Sequence, residues 1–384
     1  MNDDVPHDWD PKSPAVQLDQ RSAYQAMGER CPVAHSDLLG WSLFRHADVL
    51  RALHDPETFS SVVSTHPAVP NGMDPPEHTH YRRIIDAYFQ PDRLATFDPR
   101  CRQIAADLVG SVLEGGEVEF IEAFAHRYAV RVQCAFLGWP DELHEPMLHW
   151  THKNDRARFA QDRTVTAKVA REFEGHVVDL LHARRAAGAQ ASDDVTSRLM
   201  HERIRDRPLR DDEIVSILRN WTVGEIGTIS AAVGILVEYI AQHDELQLQL
   251  RARPSLLPDA IDEILRIHAP LAANRRVTTR AVEIGGRQIG AGERISLNWV
   301  GANLDSRVFE DPQAFRLDRD PTANLLYGAG IHVCPGAPLA RLELQVAMQE
   351  LLARSMQIEL IAQRPPTRAL YPAIGLATLA LRIR

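Results

Sequence analysis

Residues 325–341 read Leu-Leu-Tyr-Gly-Ala-Gly-Ile-His-Val-Cys-Pro-Gly-Ala-Pro-Leu-Ala-Arg, and no other run constrains this chain so tightly. It sets one cysteine, Cys334, on a glycine-rich loop leading directly into a helical pattern. Gly328, Gly330 and Gly336 let the backbone bend back and aim amide N–H groups at a sulfur. Pro335 suits the first helical turn, where its missing N–H costs nothing. The helix N-terminus favours a thiolate over a thiol, and His332 and Arg341 add polarity on either side. A buried structural cysteine at a strand-to-helix turn is the plainer alternative. The surrounding glycines, proline and basic residues favour a thiolate bound axially to a metal.

The other cysteines, Cys31, Cys101 and Cys134, are scattered and form no Cys-x-x-Cys pair. That opposes a structural zinc site and a disulfide scaffold, and implies free thiols in a reducing compartment. With 384 residues the chain can bury a large core. Its net charge of −9 argues against nucleic acid or an anionic membrane as partner. The start, Met-Asn-Asp-Asp-Val-Pro-His-Asp-Trp-Asp, carries neither a signal core nor an anchor, and no run of 18 apolar residues appears. A cytoplasmic enzyme without membrane attachment is expected. No phosphate-cradling loop, Gly-x-Ser-x-Gly elbow or His-Glu-x-x-His motif is present. His149 and His152 share a helical face near His144, but no acid or cysteine completes a metal site, and the three read as surface histidines.

The first 35 residues, rich in Pro, Asp and Ser, read as an extended arm with one short helix, and residues 36–384 as the main domain. Leu38 to Arg45 suits a short strand or hairpin. From Ala47 to His268 the pattern is helical, broken by turn clusters at Pro67–Pro76 and Gly188–Asp194. Asp211 to His243 is the longest helical run. The runs Val282-Glu-Ile and Arg294-Ile-Ser-Leu-Asn, separated by glycine turns, read as a hairpin sheet. Ile358-Glu-Leu and the run from Thr378 to Ile383 read as late strands. The fold class is mostly α with small β sheets.

The Cys334 segment resembles the haem-binding signature of cytochromes P450, Phe-Gly-x-Gly-x-His-x-Cys-x-Gly, with Tyr327 at the usual phenylalanine. Three further stretches fit the resemblance. Glu263-Ile-Leu-Arg266 puts an acid and a base on one helical face, 71 residues before Cys334. It matches the family's Glu-x-x-Arg pair, which a later arginine usually locks beneath the haem. Ala314 stands where that arginine is expected, leaving Arg316 or Arg319 as the third member. Trp221-Thr-Val-Gly-Glu-Ile-Gly-Thr228 holds two mid-helix glycines, accounted for by close approach of a flat cofactor or by helix packing. It matches the helix that crosses the distal haem face, and Thr228, 35 residues before Glu263, matches the threonine that aids proton delivery. The acid before that threonine is replaced by Gly227. Glu225, one turn back, is the candidate substitute, the alternative being an arginine partner away from the haem. His78 and Arg82, at i and i+4, with Arg276 and His332, match the groups that hold the haem carboxylates.

The resemblance implies one compact α+β domain around a buried haem b (iron protoporphyrin IX) with Cys334 as iron ligand. It implies insertion of one oxygen atom from O₂ into a small organic substrate, by hydroxylation or oxidative dealkylation. Electrons would come from a ferredoxin or flavodoxin and its NAD(P)H reductase. A peroxide-driven peroxygenase and a non-enzymatic haem sensor are the rival readings. Substrate contacts would come from Val69–Met73, Trp221–Thr228, Leu271–Asn274 and Ala373–Ile374.

Overall fold

The structure is a computed structural model describing residues 7–64, 68–160, 162–188 and 193–384. The acidic start (1–6) and parts of the two turn clusters (65–67, 189–192) lie outside the described residues. Helices dominate, as the 3.6-residue apolar period requires. Those that build the site are α1 (Glu77–Asp86), α2 (Pro91–Glu114), α3 (His126–Leu137), α4 (His144–Ala160), α5 (Asp211–Ala241), α6 (Leu257–His268) and α7 (Ala337–Arg354). Acids occupy the first turn of α5 (Asp211, Asp212, Glu213), where the macrodipole favours them. This 31-residue helix is long and apolar enough to cross a membrane, but most of its apolar stretch is buried within the fold. That is the pattern of a central core helix. It packs against α3, α6 and α7, and α7 lies along α2.

The principal sheet holds β1 (Val33–Ser36), β2 (Gly40–Leu43), β3 (Phe59–Ser60), β4 (Ala273–Thr278) and β5 (Arg294–Asn298), in the order β1-β2-β5-β4-β3. β5 runs parallel to β2 and antiparallel to β4. The expected pairing of Val282–Ile284 with Arg294–Asn298 does not occur. Val282–Ile284 pairs with Arg287–Ile289 instead. The intervening Gly285 and Gly286 both have positive φ (+55° and +77°), which closes the tightest hairpin available. β5, buried from Ile295 to Asn298, becomes an interior strand. In the tail, Ile358–Leu360 pairs with Ala380–Ile383, while Thr378 belongs to a separate strand, Leu376–Thr378.

The N-terminal arm carries two helices, Pro14–Leu18 and Gln20–Arg30, rather than one. It is fastened to the body. Trp9 meets Tyr24 and Phe44 edge-on at 5.9 and 5.1 Å between ring centres. Gln20 donates to the Ala369 and Ala373 carbonyls at 2.9 and 3.2 Å. A division at residue 35 passes through β1, which is paired with β2.

Candidate active site

Gly328 and Gly330 take φ of +72° and +68° in the cysteine loop. A Cβ on Gly330 would stand 2.2 Å from the Leu53 carbonyl oxygen, so both strain and space demand glycine there. The Cys334 amide closes the loop by donating to the Tyr327 carbonyl at 2.9 Å. Helix α7 begins only at Ala337, so the proline in its first turn is Pro338 and Pro335 precedes the helix. Cys101 and Cys134 are buried, whereas Cys334 is exposed, which removes the structural-cysteine alternative for it. Neighbouring atoms still crowd the sulfur on one side, and the desolvation they impose holds the thiol above its ordinary pKa. The Gly336 and Ala337 amides and Arg82 pull the other way without prevailing. The helix N-terminus alone therefore does not favour a thiolate; coordination to a metal ion would displace the thiol proton.

Four basic groups converge beside the loop. The His78 and His332 rings lie 4.3 Å apart between centres. His332 Nε2 meets Ser61 Oγ at 2.9 Å, and Arg82 binds Asp86 at 2.5 Å and the Ile331 carbonyl at 3.2 Å. Arg276 is 7% exposed and donates to the Arg275 carbonyl at 2.7 Å. Burial, then the neighbouring His78, Arg276 and Arg82, push His332 down to about 3. Burial and Arg82 likewise lower His78, whose Nε2 is buried without a hydrogen-bond partner. Like charges crowded out of water are unfavourable unless an anion joins them, so this cluster is built for one.

Across α5, Gly224 and Gly227 are exposed, and a Cβ on either would meet nothing within 4 Å. They do not serve helix packing, unlike Gly234, whose Cβ would strike Ile121 at 2.8 Å. Thr228 Oγ1 donates to the Gly224 carbonyl at 2.7 Å and lies 3.2 Å from that of Glu225. Among the described residues no arginine pairs with Glu225, the alternative weighed above. The Gln133 amide, oriented to satisfy both its ends, donates to both carboxylate oxygens at 2.8 Å and accepts from the Thr222 amide at 3.3 Å. Glu225 also meets Glu343 of α7. Burial pushes Glu225 up to about 8, and burial together with Glu225 raises Glu343 well above the carboxylate range. Both Glu343 oxygens are buried with no donor facing them among the described residues, so ionising both acids at once is unfavourable.

The family profile for cytochrome P450 matches residues 162–378. The chain is 32% identical over 369 residues to the cyclomarin C epoxidase of Salinispora arenicola, covering 90% of this chain and 92% of that one. The chain belongs to the cytochrome P450 family. It is 30% identical over 340 residues to the erythromycin C-12 hydroxylase of Saccharopolyspora erythraea, with 85% of each covered. The solved structure of a mutant of P450 EryK in complex with erythromycin B superposes with a TM-score of 0.87 at 27% identity, covering 96% of this chain and 97% of that one. This P450 has the family's fold, its haem-iron cofactor and its monooxygenase activity, which uses O₂, an organic substrate and redox partners. The residues present fit a haem. Cys334 is an accessible sulfur with two amides aimed at it, and the orphaned His78 nitrogen sits among cations suited to carboxylates.

In this P450 the Glu-x-x-Arg pair is buried and fully bonded. Arg266 donates to Glu263 from Nε at 2.7 Å and from a terminal nitrogen at 2.9 Å. It also reaches the Asn303 and Pro312 carbonyls at 2.7 and 2.9 Å. Arg319 is the third member, its Nε 2.9 Å from Glu263 Oε1. Arg316 lends only its backbone amide, at 3.3 Å, and turns its guanidinium outward to Glu310 and Asp318. Sequence reasoning missed Gln133 and Glu343. The signal for Glu343 was an acid four residues after Leu339 and four before Ala347, on the stripe that α7 buries.

Proposed function

We propose that this P450 hydroxylates or epoxidises an organic natural product, using haem b held by Cys334 and by His78, Arg82, Arg276 and His332. Electrons come from a ferredoxin or flavodoxin with its NAD(P)H reductase, in the cytoplasm. The observation that carries the reading is the accessible Cys334 sulfur beside an orphaned, cation-lined anion site. Relatives named for cyclomarin C, mycinamicin IV and erythromycin support the substrate class. Bound haem supplies oxygen activation, and a thiolate ligand donates electron density that favours O–O cleavage.

The chain's own groups bind and move protons. Gly224 and Gly227 leave room against the middle of α5. Thr228 donates its hydroxyl hydrogen to helix carbonyls, which leaves its oxygen lone pairs able to accept a proton. Glu225, one helical turn away and paired with Glu343, is a carboxyl that burial inclines to hold a proton, and Gln133 orients it. Glu225→Gln is expected to lower product formation by up to about a hundredfold while electrons continue to be consumed, appearing as peroxide. Unchanged coupling removes Glu225 from the relay.

The substrate reading is tested by titrating the ferric holoenzyme with the natural products of those relatives. The expected result is a low- to high-spin shift, followed by turnover with O₂ and electron partners. Turnover with peroxide alone would establish the peroxygenase instead.

A further inference from the structure

A second site lies on the outer face, where α3 meets α4. The residues before α3 form a π-helical turn, Ile121–Ala125, and such turns recur at functional sites. This turn sets Glu122 and His126 on one face, against His152 of α4. His126 Nδ1 and His152 Nε2 stand 3.2 Å apart, with rings perpendicular. Glu122 Oε1 lies 3.8 Å from the first nitrogen, and its Oε2 3.5 Å from the second. The other two histidines of the sequence trio are held elsewhere. His149 is bonded to the Glu145 carbonyl at 2.8 Å, and His144 stands 3.5 Å from Asp141.

These separations are informative. A tetrahedral ion with metal–nitrogen and metal–oxygen bonds of about 2.0–2.2 Å has ligand–ligand edges of about 3.3–3.6 Å. One ligand atom from each side chain lies within 4.8 Å of the other two, so side-chain rotation alone can draw them onto a face of that tetrahedron. Two histidines and one glutamate are a donor set that zinc uses, leaving its fourth position to water. We propose that Glu122, His126 and His152 bind a divalent transition-metal ion of the zinc type, which fastens α4 to the start of α3.

One further observation favours a cation there. Glu119 and Asp155 add negative charge around His126. The competing occupant is a proton, since a His126–His152 hydrogen bond needs one between the rings. Metal binding moves that N–H to the other nitrogen of its ring, and an imidazolium must lose a proton before it can ligate, so affinity rises with pH.

The test is calorimetric titration of haem-loaded enzyme, cleared of loose metal with a mild chelator, with zinc chloride at pH 7.5 and pH 5.5. One equivalent is expected to bind at pH 7.5 and to raise the melting temperature, with binding weakened strongly at pH 5.5. Glu122→Gln, at a solvent-exposed carboxylate, should weaken zinc by about tenfold or more and leave monooxygenation without zinc unchanged. His152→Asn should abolish the one-equivalent phase and the melting shift. Absence of a stoichiometric phase in the wild-type protein overturns the site. So does retention of wild-type affinity in both variants, which would assign the zinc to other surface histidines.

Discussion

Arg266→Ala is expected to leave little folded holoenzyme, with a loss of about 3–5 kcal/mol from the native state. The guanidinium is 1% exposed and serves Glu263, Asn303 and Pro312 at once. Its removal strands the Glu263 carboxylate in the interior, with Arg319 and the Arg316 amide as remaining donors. The guanidinium also lies over the Phe309 ring at 4.8 Å, so packing is lost along with charge. Arg319→Ala should cost less, because Arg266 still holds Glu263 through two bonds. Denaturant titration followed by circular dichroism and by haem absorbance measures both. Equal stability of Arg266→Ala and the parent would show that the network is not structural.

Cys334→Ser has the second large effect. The variant should fold, because the side chain is exposed and the loop's shape is set by Gly328, Gly330 and the Cys334-to-Tyr327 backbone bond. It should lose the red-shifted band of the reduced CO complex and, with it, monooxygenation to background. A serine hydroxyl is a poorer, harder donor than a thiolate and does not supply the same electron density. Haem content, measured separately, distinguishes a lost ligand from lost binding, since the His78, Arg82, Arg276 and His332 cluster remains. Persistence of the red-shifted band in this variant would place the iron ligand elsewhere.

The cysteine loop was legible because its requirements are local. Two glycines at positive φ, a cysteine and a helix start within ten residues leave few alternatives. Helix content was legible for the same reason, since the apolar period repeats along each segment. The strand pairings were less so. Arg294–Asn298 had the composition of a hairpin partner, but the Gly285-Gly286 turn gave Val282–Ile284 a nearer one. The arm looked extended because its Pro, Asp and Ser content is that of a loop, whereas Trp9 and Tyr24 anchor it to Phe44.

From sequence alone came the candidate iron ligand, the mostly helical class and the order of motifs, because each rests on backbone needs within one segment. Tertiary structure decided the partners. Arg319 rather than Arg316 completes the Glu263 network, since only Arg319 turns its side chain inward. Glu225 faces Gln133 and Glu343 because α5 crosses α3 and α7 at that point. His152, which looked like a surface histidine, meets His126 and Glu122 only because α4 folds back on α3. Charge pairs between distant segments follow from helix crossings, and no periodicity within one helix encodes those.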